Sequence, residues 1–232
     1  MGAFLDNFFD YMPLFMIVFF IGFAFLIIFL SFLATKAQRK KLQMISQSLG
    51  LTYEDALGSN DLQQSHYYPN GAQTQNFFKQ LNALSQPWRI FGDWLGRRIE
   101  ISMVVRGTSK SRTYYTTFRA HFHQPLSMGL SLTREGFWAK VGKAITSSQD
   151  IELGYPEFDP KVIVKGNDEH QVKGFLANPS TRLSVLDFLS IYPGGYIDDQ
   201  GFYCELVGIL TKEQKYRELL DQIMNWVKIL DF

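Results

Sequence analysis

Internal disulfides are excluded at the outset, because the 232-residue chain has a single cysteine, Cys204. The disulfide-stapled secreted fold goes with them, and a reducing compartment suits such a chain. Net charge is almost absent too: 23 Lys and Arg stand against 22 Asp and Glu, leaving +1. A general nucleic-acid binder carries a strong basic excess, so no nucleic-acid partner is expected. Neither G-x-G-x-x-G nor G-x-x-x-x-G-K-[ST] occurs, and no nucleotide-binding signature is present. No internal repeat is visible. Charge is missing altogether from one long stretch, Tyr11 to Thr35.

That stretch is what the sequence has in place of motifs. Met12 to Ala34 is apolar on every side, as lipid all round a helix requires. At about 1.5 Å per residue, some 20 apolar residues cross a hydrocarbon core of about 30 Å. Pro13 falls in the first turn, where its missing N–H does no harm. A cleaved signal peptide has a basic flank and a shorter apolar core; here Asp6 and Asp10 precede the run and no Lys or Arg does. The segment reads as a retained single-pass anchor. Outside it the chain must be hydrophilic, since the mean hydropathy of the whole is −0.07.

Lys36, Arg39, Lys40 and Lys41 follow the span at once. Cationic flanks stay on the cytoplasmic side, so the soluble domain is expected in the cytoplasm. The same four side chains would sit among lipid headgroups. Domain boundaries follow: residues 1–35 for the tail and span, 36–50 for a basic juxtamembrane helix with Met44, Ile45 and Leu49 as a short apolar stripe and its stop at Gly50, and 51–232 for one soluble domain.

Within that domain, Leu51–Glu54 reads as a strand and Gly58–Asn76 as a polar surface loop. Ile99, Ile101, Met103 and Val105 alternate with polar neighbours, which is strand periodicity. Arg112–His123 returns antiparallel, with Tyr114, Thr116, Phe118, Ala120 and Phe122 on one face. Leu126, Met128, Leu130 and Leu132 alternate in turn, and a meander of three successive strands is expected. A short helix is expected near Phe137–Ile145 and a strand at Lys161–Lys165. Helices follow from Asn167 or Asp168 to Leu176 and from Pro179 to Ile191. A hairpin comes next, Tyr196–Asp198 with Phe202–Val207. Thr211 and Gln214 have capping-box spacing ahead of an amphipathic helix carrying Tyr216, Leu219, Leu220, Ile223, Val227 and Leu230. The fold class is α+β: a membrane helix, then a mostly antiparallel, strongly bent sheet packed by the C-terminal helix.

Candidate chemistry is sparse. His121 and His123 share a strand face, but a metal needs a third ligand and none has a telling spacing; the pair reads as a solvated face. Cys204 lacks a helix N-terminus or a Gly-flanked elbow and reads as a buried thiol. Asp198 and Asp199 suit a hairpin turn. Arg106, Lys110, Arg112 and Arg119 cluster on the first hairpin, as a solvated turn or a patch for phosphate headgroups or an acidic partner. Ser127, Gly129, Ser131 and Thr133, all small, line the outward face of the third strand and let another element approach, the protein's own helix or a partner. Gly22 in the span offers close approach to a neighbouring helix. No catalytic residue, cofactor or metal is expected.

The run Asp150-Ile-Glu-Leu-Gly-Tyr-Pro-Glu-Phe-Asp-Pro-Lys-Val-Ile-Val-Lys-Gly-Asn-Asp168 with its following helix, and Tyr114-Tyr115-Thr116-Thr117 after a strand and polar turn, resemble uncharacterised bacterial single-pass membrane-anchored proteins. The resemblance implies a soluble α+β domain of unknown function at the bacterial inner membrane and carries over no site residues. The expected role is a non-enzymatic accessory or scaffold subunit of a membrane complex. Its partners would be the bilayer and a membrane protein or a second copy. A lipid or ligand sensor of pleckstrin-like architecture is the alternative.

Overall fold

The computed structural model describes residues 2–55, 88–108, 111–135 and 150–231; the expected 58–76 loop and the helix near Phe137–Ile145 lie outside them. The chain divides into two units, each taken by itself: α1 as far as Met44 belongs to the first, and the described residues from Ile45 onward form the second.

Helix α1 runs unbroken from Gly2 to Ser48. Its apolar part is long enough to cross a membrane, and in that window no residue is buried by the protein. Such all-round exposure of Phe, Ile and Leu is tolerable only where lipid is the solvent. The two hydroxyls within reach of the hydrocarbon are satisfied internally: Ser31 Oγ donates to Ile27 O at 2.8 Å and Thr35 Oγ1 to Ser31 O at 3.0 Å, as a water-free environment demands. The helix stops where expected. Gly50 adopts φ +71°, the left-handed residue that lets Leu51 N–H reach back to Ser46 O at 2.8 Å.

In the second unit, eight strands form one antiparallel, unclosed sheet in the order β1-β2-β3-β4-β8-β7-β5-β6. They are β1 Thr52–Asp55, β2 Trp88–Trp94, β3 Arg97–Thr108, β4 Ser111–His121, β5 Ser131–Arg134, β6 Val162–Lys165, β7 Tyr196–Asp198 and β8 Gly201–Val207. The helices of this unit are α2 Glu169–Phe175, α3 Pro179–Ile191 and α4 Glu213–Leu230. Asp168 and Asn178 cap α2 and α3 through side-chain oxygens accepting from Gln171 N and Ser180 N.

Register puts one apolar row across the sheet. Ile99 pairs Ala120, Ala120 pairs Phe202, Phe202 pairs Ile197 and Ile197 pairs Leu132. All five are 0–1% exposed, so period-two alternation along each strand sends this row to the core. Helices α3 and α4 cover it. Phe188 of α3 meets Phe202 edge-to-face at 4.9 Å and Trp226 of α4 at 5.4 Å, and Tyr216 of α4 lies 5.9 Å from Phe118. Trp226 Nε1 also donates to Asp187 at 2.8 Å, tying α4 to α3. Tyr216, Leu220, Ile223, Val227 and Leu230 are buried while Glu218, Asp221, Asn225 and Lys228 face water, as the helical period requires.

Three sequence expectations fail. The alternating run Leu126–Leu132 is no third strand of a meander: only Ser131–Arg134 is extended, and β5 pairs with β6 and β7 rather than β4. The hairpin β7–β8 takes the place beside β4. Burial still alternates, with Met128 and Leu130 inside, but left-handed Ser127 (φ 57°) and Gly129 (φ +69°) produce it. The Asp199 carboxylate holds this loop by accepting from the backbone N–H groups of Met128, Gly129 and Leu130 at 3.2, 2.8 and 2.8 Å. The capping box is absent as well. Lys212 is the N-cap of α4, with no side-chain cap, so Thr211 and Gln214 are out of register, and Gln214 donates to Glu218 instead. Met44, expected in an apolar stripe with Ile45 and Leu49, is 53% exposed while those two are buried.

Candidate functional site

The face of the sheet opposite the core carries the densest polar constellation among the described residues. It arises from register: outward residues of β3, β4, β8 and β7 line up as Glu100, Arg119, Tyr203 and Tyr196. The Arg119 guanidinium donates to both Asp198 carboxylate oxygens, at 2.8 and 2.6 Å, and to Tyr196 Oη at 3.2 Å. Tyr196 stacks on Tyr203 with centroids 4.6 Å apart. Arg106 binds Glu205 at 2.8 and 2.7 Å and lies 5.3 Å from the Tyr115 ring. Ser102 and Thr117 hydroxyls meet at 2.7 Å.

Electrostatics follow the burial. Desolvation pushes the Tyr196 and Tyr203 hydroxyls up, and it raises the Glu205 carboxyl against the opposing pull of Arg106. Desolvation, then Arg119 and Arg98, lower the His121 imidazole, whose Nε2 is buried without a hydrogen-bond partner. Bidentate Arg–carboxylate pairs are geometrically specific as well as attractive. Two of the four cations read from the first hairpin are therefore already matched by acids; Arg112 is exposed and Lys110 lies outside the described residues.

The other sequence-predicted residues scatter. Lys36, Lys40 and Lys41 are exposed on α1 and Arg39 is half-buried. A Cβ on Gly22 would meet nothing within 4 Å. Ser127, Gly129, Ser131 and Thr133 do not make one strand face: the first two sit in the left-handed loop, and Thr133 on β5 is 1% exposed. His121 ends β4 and His123 lies beyond it, exposed, its N–H donating to Asp231. No group of three His, Cys, Asp or Glu side chains assembles among the described residues. Cys204 is fully buried on the core face beside Phe118. Asp198 accepts from Gln200 and Gly201 N–H groups, the local turn role expected of it.

A groove of about 410 Å³ between β5, β6 and α3 is the feature that sequence reasoning missed. Its residues come from segments some 25–30 positions apart, and only the cluster of leucines on α3 hinted at it.

No family model matches the chain, and no curated protein does. Among solved structures, the crystal structure of the mycobacterial trehalose monomycolate transport factor A, TtfA, is similar at 12% identity and a TM-score of 0.46, covering 83% of this chain and 91% of that one. So loose a likeness sets neither an activity nor a partner here.

Proposed function

We propose that this protein is a non-enzymatic accessory or scaffold subunit of a membrane complex, anchored by α1 with its domain in the cytoplasm. The observation that carries it is the self-matched sheet face. Arg119 with Asp198 and Arg106 with Glu205 satisfy one another, leaving a near-neutral surface of paired charges around the half-buried Tyr196 and Tyr203. Such a surface suits docking of another protein, since interfaces pair their polar groups and enrich Tyr and Arg. Arg106 and Arg119, already held by acids, do not supply on this face the unpaired cations that headgroup binding by a lipid sensor needs. Lys36, Arg39, Lys40 and Lys41 support the cytoplasmic orientation.

The test is isolation of the tagged full chain from membranes in mild detergent, followed by crosslinking and size exclusion. A membrane protein recovered in fixed stoichiometry is the expected result. A chain that elutes free of any partner, and that binds anionic vesicles through its sheet face, would replace this reading with the sensor.

A further inference from the structure

The groove between β5, β6 and α3 has an apolar interior and a charged rim. Val162 and Leu189 are buried in it and Leu186 is half-buried, whereas Arg134, Glu135 and Lys161 are exposed at its edge. Arg134 and Lys161 carry no ion pair among the described residues, unlike Arg106 and Arg119 on the sheet, so the rim keeps an excess of positive charge. The apolar surface does not end with the groove. Leu183, one turn before Leu186 on the same flank of α3, is 65% exposed. A single exposed leucine is ordinary, but one turn from Leu186 it extends the apolar area of the groove.

We propose that this groove, extended by Leu183, docks an amphipathic helix of a partner protein whose apolar stripe is flanked by Asp and Glu. An occupant that covers Leu183 together with the groove is longer than the groove itself. A helix laid along α3 does so with anchors at i, i+3 or i+4, and i+7, whereas an acyl chain would fill the groove and leave Leu183 in water. Acidic flanks answer Arg134 and Lys161. This rests on the accessory-subunit reading and gives that subunit a contact of defined chemistry.

The test uses the full chain in lipid nanodiscs and two labelled helical peptides of about 18 residues. Both carry the same leucine stripe; one has Glu on its flanks and the other Lys. The Glu peptide should bind roughly tenfold more tightly, the size that two rim ion pairs give together. The double variant Arg134→Glu, Lys161→Glu should invert that order, and Leu183→Ser should weaken both peptides. A photo-crosslinking residue placed at Ser190, which also lines the groove, should join the Glu peptide. Equal binding of the two peptides, binding of neither, an unchanged order in the double variant, or a crosslink only to lipid or to the same chain overturns the proposal. A native membrane partner still held by the double variant also overturns it while the accessory-subunit reading stands. Absence of any partner on the unaltered chain fails that reading, whatever the peptides do.

Discussion

Phe188 touches α4 and the sheet from α3, and truncating it gives the sharpest test of how the three hold together. Its side chain is 0% exposed. The ring contacts Phe202 of β8 at 4.9 Å, Trp226 of α4 at 5.4 Å and Tyr192 at 5.5 Å. Phe188→Ala removes the buried ring and leaves a cavity ringed by aromatics too stiff to collapse into it. A fully buried Phe→Ala change costs about 3–5 kcal/mol, against a net stability of about 5–15 kcal/mol for a domain. At roughly 2–4 °C per kcal/mol for a domain of this size, the melting temperature should fall by about 6–20 °C. Thermal unfolding of the full chain in detergent, followed by near-ultraviolet circular dichroism, reports the aromatic cluster directly. Phe188→Leu should recover more than half of the loss, and Leu183→Ala, on the exposed side of the same helix, should stay within about 2 °C of the parent. A shift below about 2 °C for Phe188→Ala, or equal shifts for the Ala and Leu variants, would refute the view that this ring joins the three elements.

Cys204 should be inert in the folded protein, because burial, and then the neighbouring Glu205 charge, push its thiol up to about 12. A thiol whose folded value lies above its ordinary one stabilises the fold fully below that ordinary value near 9, and the contribution is lost as pH rises toward about 12. Stability should therefore fall across that alkaline window, and a thiol reagent at pH 8 should label one group per chain only after denaturation; rapid labelling of native protein would show the site to be open. For the anchor, a reporter active only outside the cytoplasm, fused after Phe232, should give no signal, since the cations that hold topology follow the span; strong activity would reverse the orientation.

Much of the fold was legible because it is periodic. The outer edges of β3, β4, β7, β8 and α4 follow alternations of two or 3.6 that survive any tertiary arrangement. The failures share a cause. Leu126–Leu132 alternates in burial like a strand, yet a left-handed pair and the Asp199 carboxylate generate that alternation from a loop. Strand β2 is not legible in the sequence although Trp88 and Ile90 are buried, because Gly92 and the turn after Trp94 cut the pattern short. Gly92 itself is explained only by the fold: a Cβ there would press on Leu51. Strand order is invisible locally, and β8 reaches β4 across some 80 residues.

The same distinction decides which charges can be interpreted from sequence. Lys36, Lys40 and Lys41 lie on a helix whose exposed side needs no distant segment to define it, so their proximity to the span has meaning on its own. Arg106 and Arg119 looked equally basic along the chain. Each, however, faces an acid supplied from 99 and 79 residues away respectively, Glu205 and Asp198, and antiparallel register turns a run of cations into a row of matched pairs. Arg134 and Lys161 show the converse: separated in sequence, they are brought to one rim by the β5–β6 pairing and meet no acid there among the described residues. Pairing in the folded chain, rather than clustering along the sequence, therefore decides which cations stay open to another molecule.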